Sequence, residues 1–143
     1  MLVIAGTNGT GKTHVAKAVS RWIGHVGRGK EFIVSNRLCR LECVFWRWPE
    51  LLDAFKAGSW DIMEDLFHAP VLILDDLGAE HDPSGVGIDK LCQVLSRRER
   101  MWTLITTNIT PDNWRTRFDK RVASRMYRNS TLVDLSGVPD YCV

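Results

Sequence analysis

The stretch Leu2-Val3-Ile4-Ala5-Gly6-Thr7-Asn8-Gly9-Thr10-Gly11-Lys12-Thr13 decides how this chain folds. Four apolar residues of strand character run directly into a complete G-x-x-x-x-G-K-[ST] pattern, and an amphipathic helical pattern begins at Lys12. Strand, glycine-rich turn and helix in that order make a phosphate loop. Glycine permits dihedrals that a Cβ forbids, so successive backbone N–H groups can converge on one anion, and the positive end of the following helix adds to them. The lysine of such a loop reaches β- and γ-phosphates, and the next hydroxyl takes one position on Mg²⁺. The residues offered to a magnesium nucleotide are therefore Gly6, Thr7, Asn8, Gly9, Thr10, Gly11, Lys12, Thr13 and His14, with Thr13 also on the metal. A glycine-rich turn that binds nothing is the plain alternative, and it leaves the flanking strand and helix unexplained.

Outward from this loop, short apolar runs alternate with segments of helical period, which is the pattern of a parallel sheet with crossover helices. The first helix spans about Lys12 to Ile23, with Val15, Val19, Trp22 and Ile23 as its apolar face and Gly24 and Gly27 at its end. Arg28 to Arg40 reads as an irregular insertion or a short edge strand around Phe32-Ile33-Val34. Cys43-Val44-Phe45-Trp46 is the second strand, followed by a helix opened by Pro49 and another capped by Ser59 and stopped at Pro70. Val71-Leu72-Ile73-Leu74 is uninterrupted, as a strand covered on both faces should be, and it ends in Asp75-Asp76. A helix from Ile88 to about Arg100, a strand from Trp102 to Thr106, two short helices near Pro111 and from Asp119 to Met126, and a strand at Thr131 to Leu135 complete the pattern.

The 143 residues suit one domain with a real core. Hydrophobic residues make up 45% and charged residues 25%, which excludes a disordered chain. A formal net charge of +2 does not require a nucleic-acid partner, so any polyanion site must be local. The opening apolar run stops at Gly6, too short for a signal-peptide core or a membrane span, and the expectation is a cytoplasmic protein without a membrane partner. Cys39, Cys43, Cys92 and Cys142 are irregularly spaced and read as free thiols; Cys39 and Cys43 lack a second ligand pair for zinc.

A magnesium nucleotide needs a carboxylate near its γ-phosphate. Asp75 stands at the carboxyl end of a buried strand, where open α/β sheets hold ligands, and is assigned to Mg²⁺; Asp76 is assigned to orienting or deprotonating the attacking water. Asp-Asp-x-Gly is also good turn chemistry, so either aspartate can serve as a cap instead. Asn108 ends the next strand, where its amide can reach the γ-phosphate or the attacking water, or simply make a turn. Arg121, Arg125 and Arg128 share one helical face, which is either solvated or aimed at a phosphoryl group.

Four motifs in order, Gly-Lys-Thr-His-Val-Ala at 11–16, Leu-Ile-Leu-Asp-Asp-Leu-Gly-Ala-Glu at 72–80, Thr-Thr-Asn at 106–108 and Arg-Val-Ala-Ser-Arg-Met at 121–126, resemble the AAA+ core of the DnaC/IstB family. That family contains replicative-helicase loaders and ATPases that assist transposases. The resemblance implies an α/β P-loop NTPase with a five-stranded parallel sheet, helices on both faces and no full helical lid. It implies ATP and Mg²⁺ as cofactors, Asp75 and Asp76 as the Walker B pair, Asn108 as sensor 1, and Arg125, with Arg121 beside it, as an arginine finger acting on a neighbouring subunit. A nucleotide-dependent homo-oligomer, single-stranded DNA met through Lys56 and Arg47, and a replicative helicase or transposase partner follow from the same resemblance. Family members carry an N-terminal partner-binding region ahead of the first strand, so residues 1–143 are expected to be the ATPase core alone.

Two other classes use the same loop. A nucleotide-binding module without useful turnover is one. A small-molecule kinase is the other, with Arg28, Lys30, Arg37 and Arg40 as lid residues, although the phosphoryl-transfer template gives it no need for Thr106-Thr107-Asn108 or for the Arg121/Arg125 pair.

Overall fold

A computed structural model describes residues 1–27, 31–34, 37–80, 82–128 and 130–140. Along the chain run β1 (Leu2–Ala5), α1 (Lys12–Val26), β2 (Glu31–Val34), β3 (Arg37–Arg40), β4 (Cys43–Arg47), α2 (Trp48–Lys56), α3 (Ile62–His68) and β5 (Val71–Leu77). These are followed by α4 (Val86–Arg97), β6 (Trp102–Thr107), a 3₁₀ turn (Pro111–Asn113), α5 (Trp114–Arg117), α6 (Asp119–Arg128) and β7 (Thr131–Asp134). Five strands form one sheet in the order β4-β5-β6-β1-β7, and every pairing in it is parallel.

Alternation along each strand divides the core in two. Ile4, Ile73 and Leu104 pack with Ala16 of α1 on one face. Val3, Ala5, Leu72, Leu74 and Ile105 point to the other, where α2, α3, α4 and α6 bring Phe55, Leu66, Val94 and Met126 against them. The expected sheet with helices on both faces is present. Among the described residues no helix is long and apolar enough to cross a membrane.

The segment before β4 is neither an irregular insertion nor an edge strand of the main sheet. Glu31–Val34 pairs antiparallel with Arg37–Arg40 as a separate two-stranded ribbon. Arg28, Lys30 and Cys142 lie outside the described residues.

Three local expectations need correction. The buried stripe of α1 is Lys12, Ala16 and Ile23, while Val15 is 43% and Trp22 61% exposed. The small Ala16 side chain seats the helix on the sheet, and Val15 and Trp22 fall on the adjacent stripe. Gly24 sits inside α1, and the chain leaves the helix at Gly27. Ser59 does not cap the next helix, which starts at Ile62 after Asp61 without a side-chain cap. The loop there is held instead by Trp60, stacked on Phe55 at 6.2 Å with Lys90 over its ring.

Candidate nucleotide site

The strand order places the chemistry. β6 lies between β1 and β5, so its carboxyl end carries Thr106 and Asn108 into the gap between the phosphate loop and the aspartate pair. A cleft of about 670 Å³ opens there, lined by residues 8–15 of the loop and helix start together with Asp76, Asn108, Val138 and Pro139.

In the loop, Gly9 and Gly11 take φ of 76° and 82°, the left-handed region that side chains disfavour. A Cβ on Gly9 would also collide with the Asp140 carboxylate, which packs directly on the loop. Lys12 is 7% exposed and folds back over the loop, donating from Nζ to the Thr7 carbonyl at 2.5 Å and to Thr10 Oγ1 at 3.3 Å. Burial pulls its pKa below the ordinary lysine value, and the charges of Asp76 and Asp75 oppose that shift. A cation held between the loop and two carboxylates is placed for an anion that enters from the cleft.

Asp75 is fully buried. Its Oδ1 accepts from Thr13 Oγ1 at 3.1 Å and from Thr106 Oγ1 at 2.6 Å, and its Oδ2 is buried without a hydrogen-bond partner. An unpartnered buried carboxylate oxygen costs free energy. Together with the Thr13 hydroxyl it forms a hard-oxygen donor set of the kind that suits Mg²⁺.

β5 does not stop before the aspartates, as its apolar run implied, but continues to Leu77 with a register shift between Leu74 and Leu77. Asp76 sits in this irregularity at φ 65°, a conformation that costs a non-glycine residue about 1 kcal/mol or more. Its backbone N–H donates to Thr106 Oγ1, which holds it there. The result turns the Asp76 carboxylate toward the cleft. Asn108 Nδ2 donates to its Oδ1 at 3.0 Å, so the amide expected near the aspartates does reach them.

Arg47 is a contact that pattern reading did not supply. It pairs in register with Asp75 across the β4–β5 ladder, and its guanidinium bonds Asp76 Oδ2 at 3.3 Å and Glu50 at 3.2 Å. Lys56, its companion as a nucleic-acid candidate, is the last residue of α2 and is exposed. Arg117, which belongs to no motif, donates to the carbonyls of Gly78 and Glu80 and fastens the turn after Asp76.

A model of the family described as IstB-like ATP binding protein matches residues 1–129. The chain belongs to that family. No curated protein matches this IstB-like chain. Among solved structures, the DnaC helicase loader superposes with a TM-score of 0.73 at 23% identity, over 93% of the IstB-like chain and 76% of DnaC. DnaI gives 0.75 at 23% identity, over 97% and 71%. DnaA of Aquifex aeolicus, solved with AMPPCP, gives 0.67 at 17% identity, over 93% and 39%. The fold of the IstB-like chain is that of AAA+ P-loop NTPases.

Arg121 and Arg125 of the IstB-like protein do not line this cleft. Arg121 bonds Asp89 at 2.9 Å and Asp119 at 3.0 Å. Arg125 donates one N–H to the Arg121 carbonyl, and its Nε is buried without a partner. It lines a crevice with Met1, Leu95 and Thr103. Met1 and Thr103 lie at the amino ends of β1 and β6, whereas the loop and Asn108 follow their carboxyl ends. Arg125 is thus at the opposite end of the sheet, about 15 Å away at the rise of a strand.

Proposed function

We propose that the chain binds ATP with Mg²⁺ in the cleft and hydrolyses it when a second copy presents Arg125. The cycle then acts, in the cytoplasm, on a replicative helicase engaged with single-stranded DNA. The observation that carries this reading is the separation within one molecule. Asp76 and Asn108 face the cleft beside Lys12, while Arg125 lies at the far end of the sheet. A γ-phosphate met by Arg125 must then belong to another copy. Thr13 and Asp75 would hold Mg²⁺, which would neutralise phosphate charge when bound. Lys12 would bind those oxygens, Asp76 would orient the attacking water and take its proton, and Asn108 would hold both Asp76 and the water in place. ADP is the product retained by the loop.

The family description favours a second reading, a helper ATPase for a transposase. It uses the same catalytic residues and differs in the protein partner.

The decisive experiment mixes two variants. Asp76→Asn keeps ATP binding and lowers turnover by at least about a hundredfold, since a positioned base contributes that much. Arg125→Ala also keeps binding and lowers turnover, by about a thousandfold if it acts as a finger. Equimolar mixing restores part of the activity, because one chain supplies Asp76 and the other Arg125. No recovery at any ratio refutes action between subunits, and a full rate from Arg125→Ala alone refutes the finger.

Arg47 gives a further expectation. Its guanidinium occupies Asp76 Oδ2 and so competes with a water for that oxygen. Arg47→Ala should raise DNA-free phosphate release severalfold and leave ATP affinity within about threefold. A steady-state assay without DNA checks this, and lowered release would make Arg47 a supporting residue instead.

A further inference from the structure

We propose that Thr106 is a positioning residue for hydrolysis, its one hydroxyl holding Asp75 and Asp76 together as a unit. This rests on the reading of Asp75 as a metal ligand and of Asp76 as the residue that orients the attacking water. The need for such a residue arises in the backbone. In the β5–β6 ladder Leu74 pairs with Ile105 and Leu77 with Thr107, so Asp75 and Asp76 stand together against the single residue Thr106. A bulge of this kind leaves one residue of the longer strand outside the ladder and re-aims its side chain. Asp76, at φ 65°, is the residue out of line, and its N–H turns to a side chain instead of a strand, donating to Thr106 Oγ1 at 2.9 Å.

A hydroxyl has one proton to give and lone pairs to receive. At Thr106 the proton goes to Asp75 Oδ1 at 2.6 Å, the length of a bond to a charged acceptor, while a lone pair takes the Asp76 N–H. Both roles are thus committed to the aspartate pair, in a residue only 1% exposed. Thr106 itself has little freedom. It pairs in register with Ile4 of β1 on its other side, and its branched side chain has few rotamers. Two residues on, Asn108 bonds Asp76 Oδ1, so β6 grips Asp76 by its backbone and by its carboxylate. The neighbouring Thr107 gives its proton to the Leu77 carbonyl. Position 106 therefore needs a group that donates to one aspartate and accepts from the next. Serine meets that need; valine, with the shape of threonine, does not.

The experiment compares Thr106→Val with Thr106→Ser in the full chain. Hydrogen exchange of the Asp76 amide is read without nucleotide, ATP affinity by titration in Mg²⁺, and turnover at saturating Mg-ATP. In Thr106→Val the Asp76 amide should exchange at least about tenfold faster. Turnover should fall at least about tenfold while ATP affinity stays within about threefold, because a misplaced group costs rate and not binding. Thr106→Ser should return exchange and turnover to near the wild-type values. If Thr106→Val does not fold, Thr106→Cys, a weak donor and weak acceptor, is held to the same limits. Exchange at the wild-type rate in the valine variant, or affinity lost in proportion to turnover, overturns the positioning role and leaves Asp76 in place. A wild-type chain that binds Mg-ATP without turnover overturns the assignment of Asp76 and this role with it.

Discussion

Lys12→Ala is expected to reduce ATP affinity by more than about a hundredfold, a loss of about 2.7 kcal/mol. Lys12 is the one lysine or arginine among the described residues that line the cleft, and its ammonium bonds the loop's own oxygens. Its removal takes one opposing charge from Asp75 and Asp76 and leaves only the Arg47 guanidinium on Asp76, so the carboxylates repel a triphosphate more strongly. Calorimetric titration reads the affinity, and thermal unfolding gives an independent measure. At ATP a hundred times the wild-type Kd, binding stabilises the native state by about 2.7 kcal/mol, against about 0.4 kcal/mol for the variant. For a domain of this size the midpoint shift should fall from about 8 °C to about 1 °C. An unchanged shift would remove Lys12 from the site and with it the phosphate-loop assignment.

The largest effect on stability is expected at Arg98. It is 3% exposed and pairs with no carboxylate among the described residues; its guanidinium instead donates to the carbonyls of Leu66, Ala69 and Trp102 at 2.7–2.8 Å and to Thr103 Oγ1 at 3.1 Å. It ties the end of α3 to the start of β6. Burial lowers its pKa to about 10, which still leaves it charged near neutrality. Arg98→Ala strands several buried carbonyls at about 1–3 kcal/mol each when unsatisfied, with water returning to some of them. The net loss should be about 4 kcal/mol, or about 12 °C in the thermal midpoint. Arg98→Lys recovers only part of this, because an ammonium lacks the planar fork that reaches carbonyls on both sides. A midpoint within about 2 °C of wild type would mean that solvent takes over the whole cluster.

Arg98 also marks where reading the sequence fails. In Arg97-Arg98-Glu99-Arg100 nothing distinguishes the buried residue from its solvated neighbours, because the difference lies in which carbonyls stand opposite. Arg47 is similar: its reach to Asp76 depends on the β4–β5 register and on an irregularity that apolar patterning does not encode. The β1–loop–α1 unit, the buried run of β5 and the polar end of β6 were legible because each is continuous in sequence and each carries its own signal. The buried face of α1 lies one stripe away from Val15 and Trp22, since period alone leaves several apolar residues to choose from and the sheet selects by size. Val138 and Pro139 line the cleft with no sequence signal to announce them, because where β7 docks brings them there.

The position of β1 in the sheet has a consequence for synthesis of the chain. β1 is made well before either of its neighbours, since β6 begins at Trp102 and β7 at Thr131. Contacts of such long sequence separation form slowly and only after most of the polypeptide is available. The loop after β1 therefore closes on a nucleotide only once β6 has been made, and a nascent chain that stops short of Trp102 is blind to ATP.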